Sequence, residues 1–231
     1  MMRLLQAEFA KIKGKGFWLL SFVGAFGVIA MQMVNYGVRK EWLLSLSEDD
    51  WSYFLLNVQG FVPISIVLGI AILATQITSI EGDTNAWKQQ LALPISKKGL
   101  YATKFITVAF FLVLASILLA VFTYVYGSTL GFKQSLPYNE LLKHTLLPAI
   151  TALPILALQL WLGAVSKSPA VPITVGVVQF LLTYSAFTMP KWMPWTWLYL
   201  PNPTLNIALG LGIGIVIFIM GMYDFYRKDA L

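Results

Sequence analysis

The chain has 231 residues and a net charge of +6; 58% of its residues are apolar and only 11% are charged, against roughly 25% charged in a soluble domain. Six uncharged windows, 16–38, 51–80, 105–132, 145–166, 168–190 and 192–223, hold 158 residues, so all 26 charges and the one histidine crowd into the other 73 positions. A soluble helix needs a polar face along its whole length, and a water-soluble globule is excluded.

Each window has at least 22 residues, and about 20 apolar residues cross a hydrocarbon core about 30 Å thick. The windows predict an all-α, polytopic protein with six transmembrane helices near 17–38, 53–80, 105–127, 146–166, 169–189 and 204–223, a single transmembrane domain over 1–231. A transmembrane barrel would alternate residue by residue, and runs such as Phe110-Phe111-Leu112-Val113-Leu114 do not. There is no cysteine, which excludes disulfides and thiolate metal sites.

In chain order, Leu5, Phe9 and Ile12 share one helical face of Met1–Lys15 while Arg3, Lys11, Lys13 and Lys15 hold the other. This predicts an amphipathic helix lying flat on the membrane surface, with Gly14 and Gly16 allowing a sharp turn into the first span. That span is long and no small-residue cleavage site closes it, so it reads as a retained helix rather than a signal peptide. The connector 39–50 is short and acidic at its end. Pro63 in the second span and Pro154 in the fourth each remove a backbone hydrogen bond and are expected to kink their helices.

Between the second and third spans, 81–104 carries its own helix signals. Asp83 or Thr84 can cap a short helix on which Trp87 and Leu91 share a face, and Pro94 ends it. Such a loop is more than two adjacent spans need. Near the other end of the chain, three tryptophans and a tyrosine among prolines in 189–201 suit a segment at headgroup level, either re-entrant or interfacial. Asn202-Pro203 supplies a cap with proline in the first turn, so the last helix is expected to start near Thr204.

Inside the spans, Asn57, Gln59, Gln76, Gln159, Gln179 and Asn206 either line a path or hydrogen-bond between helices, at about 0.6 kcal/mol each; packing is the preferred reading. Gly210 and Gly214, with Gly221 seven residues on, permit close helix approach, within the chain or between chains.

Both termini share one side if there are six spans. Placing them inside puts Arg3, Lys11, Lys13, Lys15, Lys88, Lys97, Lys98, Lys104, Lys167, Arg227 and Lys228 in the cytoplasm and only five basic residues outside, which satisfies the positive-inside rule. Acidic residues divide evenly, so the excess positive charge is cytoplasmic. Orientation and anionic lipid account for it without any nucleic acid.

Ionisable residues at membrane depth are costly and mark reaction or ion paths, and the six windows hold none. The single histidine, His144, sits beside an external connector, where it is expected to be solvated, and cannot form a two-histidine zinc site. Base-activated nucleophiles, paired carboxylates for magnesium and midplane acids for a coupling ion are missing from the spans. No phosphate-binding Gly-x-x-x-x-Gly-Lys-Ser/Thr loop occurs. No catalytic, cofactor or metal residue is therefore expected, and energy for transport is expected to come from elsewhere, with a separate ATPase the natural candidate.

A basic amphipathic starter helix, six spans, a Glu-Gly-Asp-Thr…Trp-Lys-Gln-Gln-Leu-x-Leu-Pro-Ile-Ser…Lys loop after span two and a Phe-Tyr-Arg-Lys-Asp tail together resemble the ABC-2 type permease family over the whole chain. Within it, the Glu8–Lys13 run is similar to the small bacterial permeases of bacitracin-export and lantibiotic-immunity transporters. The resemblance implies a plasma-membrane exporter of two permease chains, identical or homologous, and two ATP-binding subunits that hold ATP and Mg. It implies that Glu81, Gly82, Asp83, Thr84, Trp87, Lys88, Leu93 and Pro94 form a coupling helix seated on the ATPase. By the same likeness Arg3, Leu5, Phe9, Lys11, Ile12 and Lys13 belong to an elbow helix, and the Trp-rich segment is an external hairpin. Hydrophobic or amphipathic compounds such as peptide antibiotics are the implied substrates, with lipids open. The alternative is a membrane scaffold or sensor that binds a peptide or lipid without moving it.

Overall fold

A computed structural model describes residues 2–83, 96–166 and 168–227, with the backbone alone for 81–83. Every extended regular element among them is a helix: α1 (Met2–Ile12), α2 (Phe17–Leu44), α3 (Asp50–Asp83), α4 (Lys97–Thr129), α5 (Tyr138–Thr151), α6 (Leu153–Val165), α7 (Ala170–Tyr184), a 3-10 turn (Ala186–Thr188), α8 (Pro194–Trp197) and α9 (Pro203–Arg227). Five stretches are long and apolar enough to cross a membrane: α2, Asp50–Ile80, α4, Tyr138–Val165 and α9. The sixth apolar helix, α7, has 15 residues, which reach about 22 Å, short of a core about 30 Å thick.

Helices run past the uncharged windows because charge ends contact with lipid, not the backbone hydrogen bonding that makes a helix. Thus α2 continues six residues beyond Val38, through Arg39, Lys40 and Glu41, with only Arg39 leaving helical geometry (φ −129, ψ 24). Likewise α4 starts at Lys97, eight residues before the charge-free stretch, capped by Ser96, whose Oγ accepts the Gly99 N–H at 3.2 Å. On α5, Glu140, Lys143 and His144 lie within the helix.

The two prolines act differently. α3 runs as one helix through Pro63, whereas the fourth span is broken at Ala152 (φ −82, ψ −4) into α5 and α6. Pro154 has no N–H for the carbonyl of Ile150 and its ring crowds that carbonyl. The helix restarts with Pro154 in its first turn, where a missing N–H is harmless.

α3 is the axle of the bundle, packed against α2, α4, α5, α6 and α7, with Phe54, Leu55, Val58, Val62, Val67, Ile70 and Ala74 fully buried. Small residues set the closest approaches. A Cβ on Gly163 of α6 would lie 2.6 Å from Thr78 Oγ1 of α3, and one on Gly176 of α7 would lie 2.6 Å from Ala71 Cβ. Three buried hydroxyls of α4 bond back along their own helix, Thr103 to the Leu100 carbonyl, Thr107 to Thr103 and Thr123 to Leu119, so these three enter the bundle satisfied. Large apolar side chains such as Phe22, Val34, Val113, Val125, Val178 and Ile215 face outward, as lipid-facing surfaces require.

Candidate functional site at the root of the 81–104 loop

The glycines predicted to turn the chain do so in left-handed geometry, Gly14 at φ 76 and Gly16 at φ 82, a region open to glycine at little cost. α1 folds back onto α4. Phe9 meets Phe110 edge-on at 5.4 Å between ring centres, and Ile12 is buried. Leu5 is half-buried, while Arg3 and Lys13 are exposed.

Glu8 sits on this buried face, three residues after Leu5 and four before Ile12. Its side chain and that of Lys104 are each about 1–2% exposed, with Nζ 3.4 Å from Oε2. Lys104 also donates to the Ile77 carbonyl of α3 at 3.2 Å, and Lys11 donates to Glu8 Oε1 at 3.0 Å. The apolar windows hold no charge, but the protein interior does, at the end of the bundle where the loop begins. In the sequence Lys104 counts only as a cytoplasmic charge, and Glu8 is placed on neither face of the starter helix. The available signal was spacing: Glu8 continues the Leu5–Ile12 stripe, and Lys104 lies on the stripe of Tyr101, Val108 and Phe111.

The loop springs from this cluster. Glu81, Gly82 and Asp83 are the last residues of α3, so Asp83 belongs to that helix. Thr84, Trp87, Lys88, Leu93 and Pro94, with the short helix read there, lie outside the described residues. At the other root, Tyr101 packs on Phe218 and Phe225 with ring centres 5.6 and 5.7 Å away, and Lys98 Nζ lies 5.0 Å above the Tyr226 ring. Trp161 Nε1 donates to Asp224 Oδ2 at 2.9 Å, joining α6 to the end of α9, a bond that no spacing or motif signals.

The polar span residues are not one row. Gln59 Nε2 donates to the Tyr199 carbonyl at 2.8 Å, and Gln159 Nε2 to the Pro172 carbonyl at 2.6 Å. Asn57 donates to the Tyr53 carbonyl of its own helix at 2.8 Å, while its carbonyl accepts Gln32 Nε2 at 3.0 Å. Asn206 Oδ1 accepts the Asn202 N–H at 2.9 Å. All four make hydrogen bonds within the chain, and those of Gln59 and Gln159 reach other elements. Gln179 is buried with neither amide atom paired. Gln76 differs from the rest: with Thr75, Ser79, Ile173 and Gly176 it lines a cleft of about 590 Å³ between α3 and α7.

Gly210 and Gly214 face the helix break inside the same chain. A Cβ on Gly214 would lie 2.9 Å from Leu153 Cβ, and one on Gly221 would lie 2.9 Å from Trp161 Cβ.

At the opposite end, Trp192 is exposed but Trp197 and Leu198 are buried, so the Trp-rich segment folds into the bundle end instead of lying wholly along an interface. Trp197 Nε1 donates to the Lys191 carbonyl at 3.0 Å and the Tyr199 hydroxyl to the Thr183 carbonyl at 3.2 Å. Burial pushes the Tyr199 phenol up to about 12. His144, expected in solvent, is buried as well: α5 begins early enough to carry it inward, one turn after Glu140, whose Oε2 lies 3.2 Å from its Nε2.

Among the described residues no three His, Asp or Glu side chains gather where they would hold a metal. The geometry is that of a helical bundle with an ion-paired, tightly packed end near the last residues of α3 and the first of α4. Comparison with curated proteins and with solved structures gave no significant match. A family model described as ABC-2 family transporter protein matches residues 4–183, from α1 through α7 and including the loop. The chain belongs to the ABC-2 transporter family and is a multi-pass membrane component of a transporter.

Proposed function

We propose that the chain is the permease subunit of an ATP-driven exporter in a bacterial plasma membrane. In this reading it has six crossings, with α7 and the 3-10 turn completing the short one, and both termini are cytoplasmic. Two such chains, identical or homologous, pair with two ATP-binding subunits, which carry ATP and Mg. The loop with Glu81, Gly82, Asp83, Thr84, Trp87, Lys88, Leu93 and Pro94 seats on the ATPase, and α1 is the elbow helix. The cargo is a hydrophobic or amphipathic compound such as a peptide antibiotic, taken from the membrane or the cell.

The observation that carries this reading is the family match across 4–183, which spans α1, the loop and the helices on both sides of it. The lack of charge in the apolar windows supports it, because a carrier driven by protons or sodium keeps acidic groups at midplane. Gentle detergent extraction tests it: an ATPase subunit should accompany the chain in stoichiometric amount. Flux of a labelled amphipathic peptide in vesicles then separates transport from mere binding. A chain that extracts without an ATPase yet remains active contradicts the proposal.

A further inference from the structure

We infer that Glu8 and Lys104 form a positioning clip that makes α1 and the two roots of the 81–104 loop move as one body. The inference rests on reading that loop as the ATPase-docking element. Three helices meet at the Lys104 ammonium: it lies on α4, pairs with Glu8 of α1 at 3.4 Å and donates to the Ile77 carbonyl of α3 at 3.2 Å. Ile77 is six residues before the end of α3 and Lys104 seven after the start of α4, so at about 1.5 Å per residue the clip lies about 10 Å behind both roots.

Energetics favour position over stability as the role. Burying two charges forfeits their hydration, and an apolar pair of similar volume often supports a fold equally well or better. What an apolar pair does not reproduce is direction. The ammonium must stand between one carboxylate and one carbonyl, fixing the rotation and axial register of α1 against α3 and α4. Lys11, on the other carboxylate oxygen at 3.0 Å, holds the Glu8 side chain in place, and Phe9, against Phe110 and Phe111, anchors the same turn.

The test uses the complex with its ATPase and the variants Glu8→Gln, E8L/K104M and the conservative Lys104→Arg, whose guanidinium can still donate to both the Glu8 carboxylate and the Ile77 carbonyl. The readouts are assembled complex, transport per ATP hydrolysed, and trypsin cleavage at the exposed Lys13 and Lys15. We expect transport per ATP to fall about tenfold or more in Glu8→Gln and in E8L/K104M, although the latter folds, and to stay near wild type in Lys104→Arg. Cleavage at Lys13 and Lys15 should quicken in Glu8→Gln and stay near the wild-type rate in Lys104→Arg. Wild-type coupling in E8L/K104M would overturn the clip, as would loss of coupling in Lys104→Arg within normally assembled complex. Should the wild-type chain retain no ATPase, the loop reading fails by itself. The cleavage assay still decides the clip, and an unchanged rate in Glu8→Gln would overturn it.

Discussion

Gly210 of α9 lies so close to Thr151, at the break between α5 and α6, that a Cβ on it would stand 2.8 Å from the Thr151 Cα and 3.1 Å from the Ile150 oxygen. The carbonyl that Pro154 leaves without its usual donor four residues on is thus the one that Gly210 approaches. Gly212, two residues along, has open space where its Cβ would be. G210A and G214A should therefore destabilise by about 1–3 kcal/mol through overpacking against backbone, while G212A should be neutral or slightly stabilising through helix propensity. Unfolding midpoints in detergent check this; equal midpoints for all three would refute the packing.

Gln59 ties α3 to the Trp-rich segment through the Tyr199 carbonyl. Q59L keeps the volume and loses the donor, at a cost of about 0.6 to 1.7 kcal/mol for an interhelical bond in a membrane protein. Backbone amides of 196–202 should exchange faster with deuterium in Q59L, with α4 unchanged. Uniform exchange in both proteins would show that the bond does not hold the segment.

Asp49 precedes α3 and accepts the Ser52 hydroxyl at 2.6 Å and the Ser52 N–H at 3.2 Å, bonds that hold its carboxyl below the usual carboxylate range. A carboxylate with a lowered folded value contributes stability above its unfolded pKa and loses it as pH falls through the folded one. D49A should cost about 0.5 kcal/mol at neutral pH, the low end for a helix cap because the site is exposed. The difference from wild type should vanish in acid. A pH-independent difference would contradict the capping role.

Trp87 and Glu81 belong to the loop proposed to dock on the ATPase. Truncating a docked tryptophan costs about 2 kcal/mol or more, roughly a thirtyfold loss of affinity. W87A and E81A are expected to loosen the ATPase or to let it hydrolyse ATP without transport. Normal binding and transport in both would remove the assignment.

How much of this was legible beforehand follows from what each signal measures. Hydropathy located the apolar helices because lipid tolerates no charge, and it misplaced their ends for the same reason: Lys97, Glu140 and Lys40 lie within helices although they are charged. The turn at Gly14 and Gly16 and the close approach at Gly210 and Gly214 were readable, since only glycine is cheap in those settings. Burial of Glu8, Lys104 and His144 was not read, because charge was taken as a marker of solvent when these residues lie on stripes covered by neighbouring helices. Bonds such as Gln59 to Tyr199 depend on which helices adjoin, which one-dimensional pattern does not encode. The loop with Trp87 rests on its motif and the family match, not on geometry.

In the proposed function this bundle works only through a partner that hydrolyses ATP. Purified chain in proteoliposomes, with and without the ATPase, should be offered a labelled amphipathic peptide under ATP, a proton gradient or a sodium gradient. Uphill movement is predicted only when the ATPase and ATP are both present. Accumulation against a gradient by the chain alone, under any of the three, would contradict the account.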